Sequence, residues 1–417
     1  MPVTLPNIIL EGDNIPVLEG LRHKAKKCFE DKGLPTSKNE SWKYTKIRDL
    51  NFEEYVFCEH KEHNCSCHNK TIFFEFSSYD IMFCNGQLCN KHFHLPNEIE
   101  IMSLLEAVKD KEAFAYLNKS FDMKNFPFAI LNSAYLEQGV FIRVAKNYIA
   151  DKPLALIYHT KADEKYMGHI HNVVVMESGA KIDLIEYYHY TGDIKSEYFN
   201  NIVNEFFISN GAKLNHYKLQ NEAFKSTHIA LNVANVKSKA KYESFCLQRG
   251  ANLARNETIV NLLEEDADTV VNGAYIINGW ANVDTTTQIR HMHEKTSSSQ
   301  LIKGVVGGCA KGVFQGKIHI APDAVKTNGY QLHKALLLSD EAVVNVKPEL
   351  EIFADDVKCS HGSTCGEIDK EQMFYMRSRG ISEDNAKQIL INAFISELLD
   401  NIENTDIKCW MKNFSLF

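Results

Sequence analysis

Apolar positions at the start of the chain recur at helical spacing. Leu18, Leu21, Ala25, Cys28 and Phe29 fall on one face, as the 3.6-residue period of an amphipathic helix requires. Gly33 and then Pro35 supply the stop signal. The same period returns over 103–117 through Leu104, Leu105, Val108, Ala113 and Leu117, and Ser103 with Glu106 three positions on reads as a capping box. Past Asn125, Phe126 and Pro127 the pattern changes. From about 135 to 363 short apolar or alternating runs follow one another, among them 140–144, 154–158, 173–176, 182–187, 229–233, 269–271 and 336–338. Turns of small or polar residues punctuate them at 178–181, 210–213, 237–240, 249–252 and 307–310. No helix-length amphipathic segment interrupts this series for about two hundred residues. Many short strands suit a sandwich. A recurring turn-and-strand unit equally suits a stacked solenoid, in which each coil buries its face on the next. The pattern alone leaves the two open.

Helical spacing resumes after the strand series. Asp369 with Gln372 three residues on is an N-cap pair for a helix running to Arg379, and Gly380 is its C′ residue. Ser382 starts a second helix in which Ala386, Ile389, Leu390, Ile391, Ala393, Phe394, Ile395, Leu398 and Leu399 cover most of the circumference. A helix apolar on more than one face needs more than one neighbour. One side packs on this chain, and the other is free for a partner helix or groove. The candidate docking residues are Phe374, Tyr375, Arg377, Arg379, Ile391, Phe394, Ile395 and Leu398. The alternative is a helix buried wholly within its own domain.

The chain has 417 residues, enough for two or three domains and a large core. Its net charge of -8 and the lack of a basic run argue against a nucleic-acid binder. The first residues show no basic segment followed by an apolar one, and no apolar run is long enough to span a bilayer. The expectation is a cytoplasmic protein whose eleven cysteines are thiols or ligands rather than a disulfide framework.

The most compact candidate chemistry lies in 355–380. Residues 358–361 read as a strand, so Cys359 and His361, two apart, share a face. A thiolate beside an imidazole is a soft-to-borderline ligand pair for iron, zinc or copper(I). It leaves a tetrahedral centre two ligands short. The pair also reads as a nucleophile and its base, or as a half-buried thiol with a satisfied imidazole. A second cluster comprises Cys58, His60, His63, Cys65, Cys67, His68, Cys84, Cys89, His92 and His94. Its spacing does not match a two-pair zinc template, and a polar loop joined to core strands explains it as well. His169 with His171 and His291 with His293 each share a strand face and read as exposed polar pairs, with a ligand pair the alternative on spacing alone. Trp42 and Tyr44 read as aromatics packed on the chain's own core. Asp355 and Asp356 are adjacent and point to opposite strand faces, so they do not make the paired carboxylates of a glycosidase. Phosphate-loop, dinucleotide-binding and nucleophile-elbow motifs are absent, so no nucleotide site and no catalytic residue is assigned.

The run Cys359-Ser360-His361-Gly362, followed by 366–372 and by Phe374-Tyr375-Met376-Arg377-Ser378-Arg379-Gly380-Ile381, closely resembles the SufD-like chains of the SufB/SufD family. These are scaffold subunits of the SUF iron–sulfur cluster assembly system. Residues 312–318, Lys326-Thr327, 337–342, Lys347-Pro348, 40–45 and 139–144 agree with that pattern. The resemblance is dense over about 301–399 and sparser before it. It implies a mainly β fold, with a right-handed parallel β-helix core over 135–365, an N-terminal helical domain with short strands over 1–134 and a C-terminal helical domain over 366–417. It further implies a non-catalytic scaffold that pairs through the β-helix with a SufB-like paralogue. The C-terminal helices would dock a SufC-like ABC-type ATPase, and sulfur would arrive indirectly through SufB. A transient iron–sulfur cluster or iron would form at the SufB–SufD interface, with His361 carried over from the family and Cys359 beside it. The family pattern does not fix a role for Cys365, and the resemblance admits a flavin in the complex. Two alternatives stay open, a SufB-type paralogue and a stand-alone Cys/His metalloprotein.

Overall fold

The computed structural model describes residues 5, 6, 8, 10–47, 50–57, 73–89, 94–161, 165–193 and 197–415. Its core is a parallel β-solenoid. Successive strands alternate between two sheets, one of ten strands and one of nine, so each strand pairs with the next but one. Most strands are ten or eleven residues, as in Tyr166–Met176, Lys213–Glu222 and Lys311–Ile320. The pattern left solenoid and sandwich open; the stacking of parallel coils decides for the solenoid expected from the family resemblance. Small-residue turns close the coils. Gly179 and Gly211 adopt φ of +73° and +69° there, backbone that glycine enters without a Cβ penalty.

Away from the last coil, both faces of the sheets are largely covered. Inward-facing apolar residues such as Leu184, Ile202, Leu214, Ala234 and Val260 fill the lumen. The outer face of the nine-stranded sheet lies under the N-terminal helices Pro16–Lys32 and Pro127–Ala134, with Trp42, Phe128 and Phe199 among the contacts. The capping box at Ser103 and Glu106 is present. Trp42 is buried against the chain's own core, as expected, and the Arg255 guanidinium lies 4.2 Å from its ring centroid. Arg255 also donates to the Ser41 carbonyl at 3.0 Å and pairs with buried Asp284. The 40–45 segment is thereby fastened to the sheet.

The outer face of the ten-stranded sheet lies under helices Glu383–Leu399 and Thr405–Lys412. Here the structure corrects one expectation. Ile391, Ile395 and Leu398 are fully buried against Ala274, Ile276 and Val305 of the sheet, and are therefore core rather than docking residues. Phe394 is half-buried, and its carbonyl accepts from Lys303 Nζ at 2.6 Å. The physical reason is that the sheet's outer face is itself apolar, and it takes the helix face that the sequence pattern left free.

The two ends of the solenoid differ. At one end antiparallel strands finish the sheets: Gln87–Leu88 pairs with Tyr79–Cys84, and Ile99–Ser103 pairs with Val140–Val144. At the other end the last strand of each sheet, Val343–Ile352 and Lys358–Glu367, has a neighbour on one side only.

Candidate functional site at the open end of the solenoid

Strand Lys358–Glu367 pairs in parallel with Asn328–Leu337, with Cys359 opposite Gly329, His361 opposite Gln331, Ser363 opposite His333 and Cys365 opposite Ala335. Strand alternation places all four on the lumen side. Because no further coil covers them, His361 and Cys365 are exposed and Cys359 is half-buried beside Ile318, Ile320 and Val357. Opposite them, Val344, Val346 and Leu350 line the other edge strand and are half-buried. The open end is thus an apolar-lined cup with a thiol, an imidazole and a second thiol on one wall.

Cys359 and His361 are about 7 Å apart along the strand, which leaves room for one ion between a thiolate and an imidazole. Cys365 lies about 20 Å from Cys359 by the same rise, too far to share that ion. Burial pushes the Cys359 thiol up, partly offset by the Gly329 backbone N–H, and burial also pushes Cys365 up. Among the described residues no group of three or more His, Cys, Asp or Glu side chains could hold a metal ion. The donor set therefore suits a soft or borderline metal but is incomplete among the described residues.

The next helix, Lys370–Ser378, has no buried residue. Asp369 caps it as expected, accepting from the Glu371 and Gln372 amides. Phe374 is 75% and Tyr375 60% exposed. Arg379 lies 5.3 Å from the Tyr375 ring, and Arg377 pairs with Glu383 at 3.1 Å.

Other candidates fall elsewhere. His171 is buried under helix Pro127–Ala134, bonded to Glu205 Oε1 at 2.9 Å and to Asn132 at 3.2 Å. His169 is buried beside Tyr135 and Phe57. His291 is buried in the lumen between Thr296 and Ser298. The expectation of exposed pairs fails for these three because both sheet faces are covered. Most of the 58–94 cysteine–histidine cluster lies outside the described residues. Of its described members, Cys89 is held below the usual thiol range by its hydrogen bond with Cys84.

The pattern reading missed a polar seam inside the lumen. Asn172, Asn204 and Asn232 occupy one register column, Asn256 lies on the next strand two residues off that column, and each donates to the next at 2.9, 2.8 and 3.2 Å. Beside it Glu186 accepts from Asn204 at 2.6 Å and lies 3.8 Å from Lys218 Nζ. The signal for the seam was Asn, Gln, Glu and Lys at lumen parity in consecutive coils, which is visible only once the coil register is known.

Residues 158–394 match the family described as SUF system FeS cluster assembly, SufBD core domain, and residues 7–156 match the SufBD protein N-terminal region. The chain belongs to the SufBD family. A SufBD family iron–sulfur cluster assembly protein of Synechocystis is 30% identical over 410 residues, covering 94% of this chain and 89% of that one. The iron–sulfur cluster assembly protein SufD of Escherichia coli is 29% identical over 386 residues, covering 90% and 87%. The protein of the same name from Bacillus subtilis is 27% identical over 286 residues, covering 67% and 63%. Membership in the SufBD family places the chain in SUF iron–sulfur cluster assembly. No helix among the described residues is long and apolar enough to cross a membrane.

Proposed function

We propose that this chain is a SufD-type scaffold subunit of the SUF system, cytoplasmic and without catalytic activity of its own. It pairs through the open end of its solenoid with a SufB-like paralogue and docks a SufC-like ATPase through helix Lys370–Ser378. Iron or a nascent cluster, as cargo, is held between the subunits with His361 and Cys359 among its ligands. Sulfur reaches it by way of the paralogue. The observation that carries this reading is the open end itself. Two edge strands of ten residues leave their outer N–H and C=O groups unpaired, which is a template for strand addition. The two metal donors sit on that same end, in a site that the described residues do not complete. The unburied helix with two exposed aromatics follows directly, and aromatics are favoured anchors at interfaces.

The test is co-expression of the tagged chain with its SufB-like and SufC-like partners, followed by an anaerobic pull-down. The expected result is a three-subunit complex, from which His361→Ala removes iron without removing a subunit. A chain that purifies alone with stoichiometric metal sinks the reading.

A further inference from the structure

Directly beneath His361 the lumen holds two glutamines in one column. His361 is opposite Gln331, and Gln331 is opposite Gln300. Neighbouring strands lie about 4.8 Å apart, so the three side chains stack one coil above another. Gln331 and Gln300 are both almost fully buried. All four of their amide N and O atoms lack a hydrogen-bond partner. Buried polar groups are almost always paired, and each exception calls for an explanation. The column is a closed stack rather than a channel, because Val271 forms its floor.

Gln331 has space made for it. A Cβ added to Gly316, on the facing strand, would collide with the Gln331 amide, so the side chain reaches across the lumen and a larger residue at 316 would displace it.

We propose that Gln331 is the positioning residue of the His361 imidazole, held from below by Gln300; this rests on the reading of His361 as a ligand. A histidine that ligates a metal through one ring nitrogen gives its other N–H to a carbonyl or carboxylate, which fixes its tautomer and orientation. The Gln331 carbonyl accepts that N–H. Its amide donates to the Gln300 carbonyl, which sets the flip of Gln331 so that oxygen faces outward. Two orphaned amides and an exposed ring become one ordered relay when the site is loaded.

The experiment uses the co-expressed complex and cobalt(II) titration, read by its d–d absorption, with thermal melting in parallel. Loss of such a partner lowers metal affinity by about 10–100-fold. Gln331→Leu is expected to show that loss with an unchanged or raised melting temperature, since it removes unpaired buried amide atoms. Gln331→Glu, which keeps the acceptor, is expected to restore affinity, and Gln300→Leu to give a smaller loss. A purely structural glutamine would lower the melting temperature in step with affinity and would not be rescued by Glu. Gln331→Leu binding cobalt as tightly as the parent, while His361→Ala binds it weakly, overturns the positioning role alone. Unchanged affinity in His361→Ala overturns the ligand reading and this inference with it.

Discussion

Lys218→Met tests whether the polar seam in the lumen holds the solenoid together. Lys218 and Glu186 are both buried, with Nζ 3.8 Å from Oε2. The ammonium also donates to Asn256 at 3.1 Å and sits 4.8 Å from the Tyr188 ring centroid. Burial alone would raise the Glu186 carboxyl, but His216, Lys218 and Asn204 outweigh it and hold it at about 2. Against an ordinary Glu value near 4.3, that depression is worth about 3 kcal/mol. A charge pair at this separation attracts by about 4 kcal/mol at an effective dielectric of about 20. The pair attraction agrees with the roughly 3–5 kcal/mol lost when one member of a buried pair is removed, and the carboxyl depression is shared among His216, Lys218 and Asn204. Methionine keeps the stem volume, so little of the loss is packing. The sign with pH follows from the depressed carboxyl. Its contribution is present above pH 5 and is lost as pH falls from about 4 towards 2. Lys218→Met removes the Lys218 share of it and leaves those of His216 and Asn204, so the gap between variant and parent narrows as the solution is acidified. Denaturant unfolding by circular dichroism at pH 7 and pH 3 measures this. The double variant Lys218→Met with Glu186→Gln should recover about half of the loss or more, because no unpaired charge remains. A loss under about 1 kcal/mol for Lys218→Met, or a double variant no better than the single, would refute the reasoning.

Two further predictions concern the surface. Changing Phe374 and Tyr375 together to Ala removes side chains from a helix with no buried residue, so stability should move by no more than about 0.5 kcal/mol. Retention of the ATPase partner in a pull-down should fall about tenfold or more; undiminished retention would move the docking site elsewhere. Cysteine labelling followed by mass spectrometry should leave Cys246 untouched in the folded chain, since burial pushes its thiol up to about 12. Cys359 should label at a rate still rising past pH 9, because a raised thiol holds less thiolate at any given pH. Labelling of Cys359 at pH 7.5 faster than free cysteine would mean an activated thiolate instead.

The strands, their turns and the caps at Ser103, Asp369 and Ser382 were legible in the sequence because each rests on contacts within a few residues. The shared face of Cys359 and His361 was legible for the same reason, since strand alternation is local. Three things were not. Solenoid against sandwich depends on which strand pairs with which, and without the family resemblance the run of turns admits both. The fate of Ile391, Ile395 and Leu398 depended on an apolar outer sheet face built from Ala274, Ile276 and Val305, residues 86 to 124 positions away. The burial of His171 and His291 ran against the usual rule that polar residues alternating along a strand face solvent.

His171 is buried because a helix covers the outer face, and for inward residues the rule fails for a reason that links the core to the site. In a single sheet a polar row faces water. In a solenoid each inward polar residue can pair with the same kind of residue one coil above and below. Asn172, Asn204 and Asn232 do so in one column, and Asn232 passes the chain of bonds on to Asn256, two residues off that column. Such a ladder also fixes register, since a slip of one residue would turn every asparagine outward and leave apolar side chains to face Glu186 and Lys218. The glutamine column differs from the asparagine chain, because the amides of Gln300 and Gln331 are buried without partners. The glutamine column over Val271 ends at His361. The imidazole is therefore the residue through which this unpaired column reaches whatever binds at the end of the solenoid.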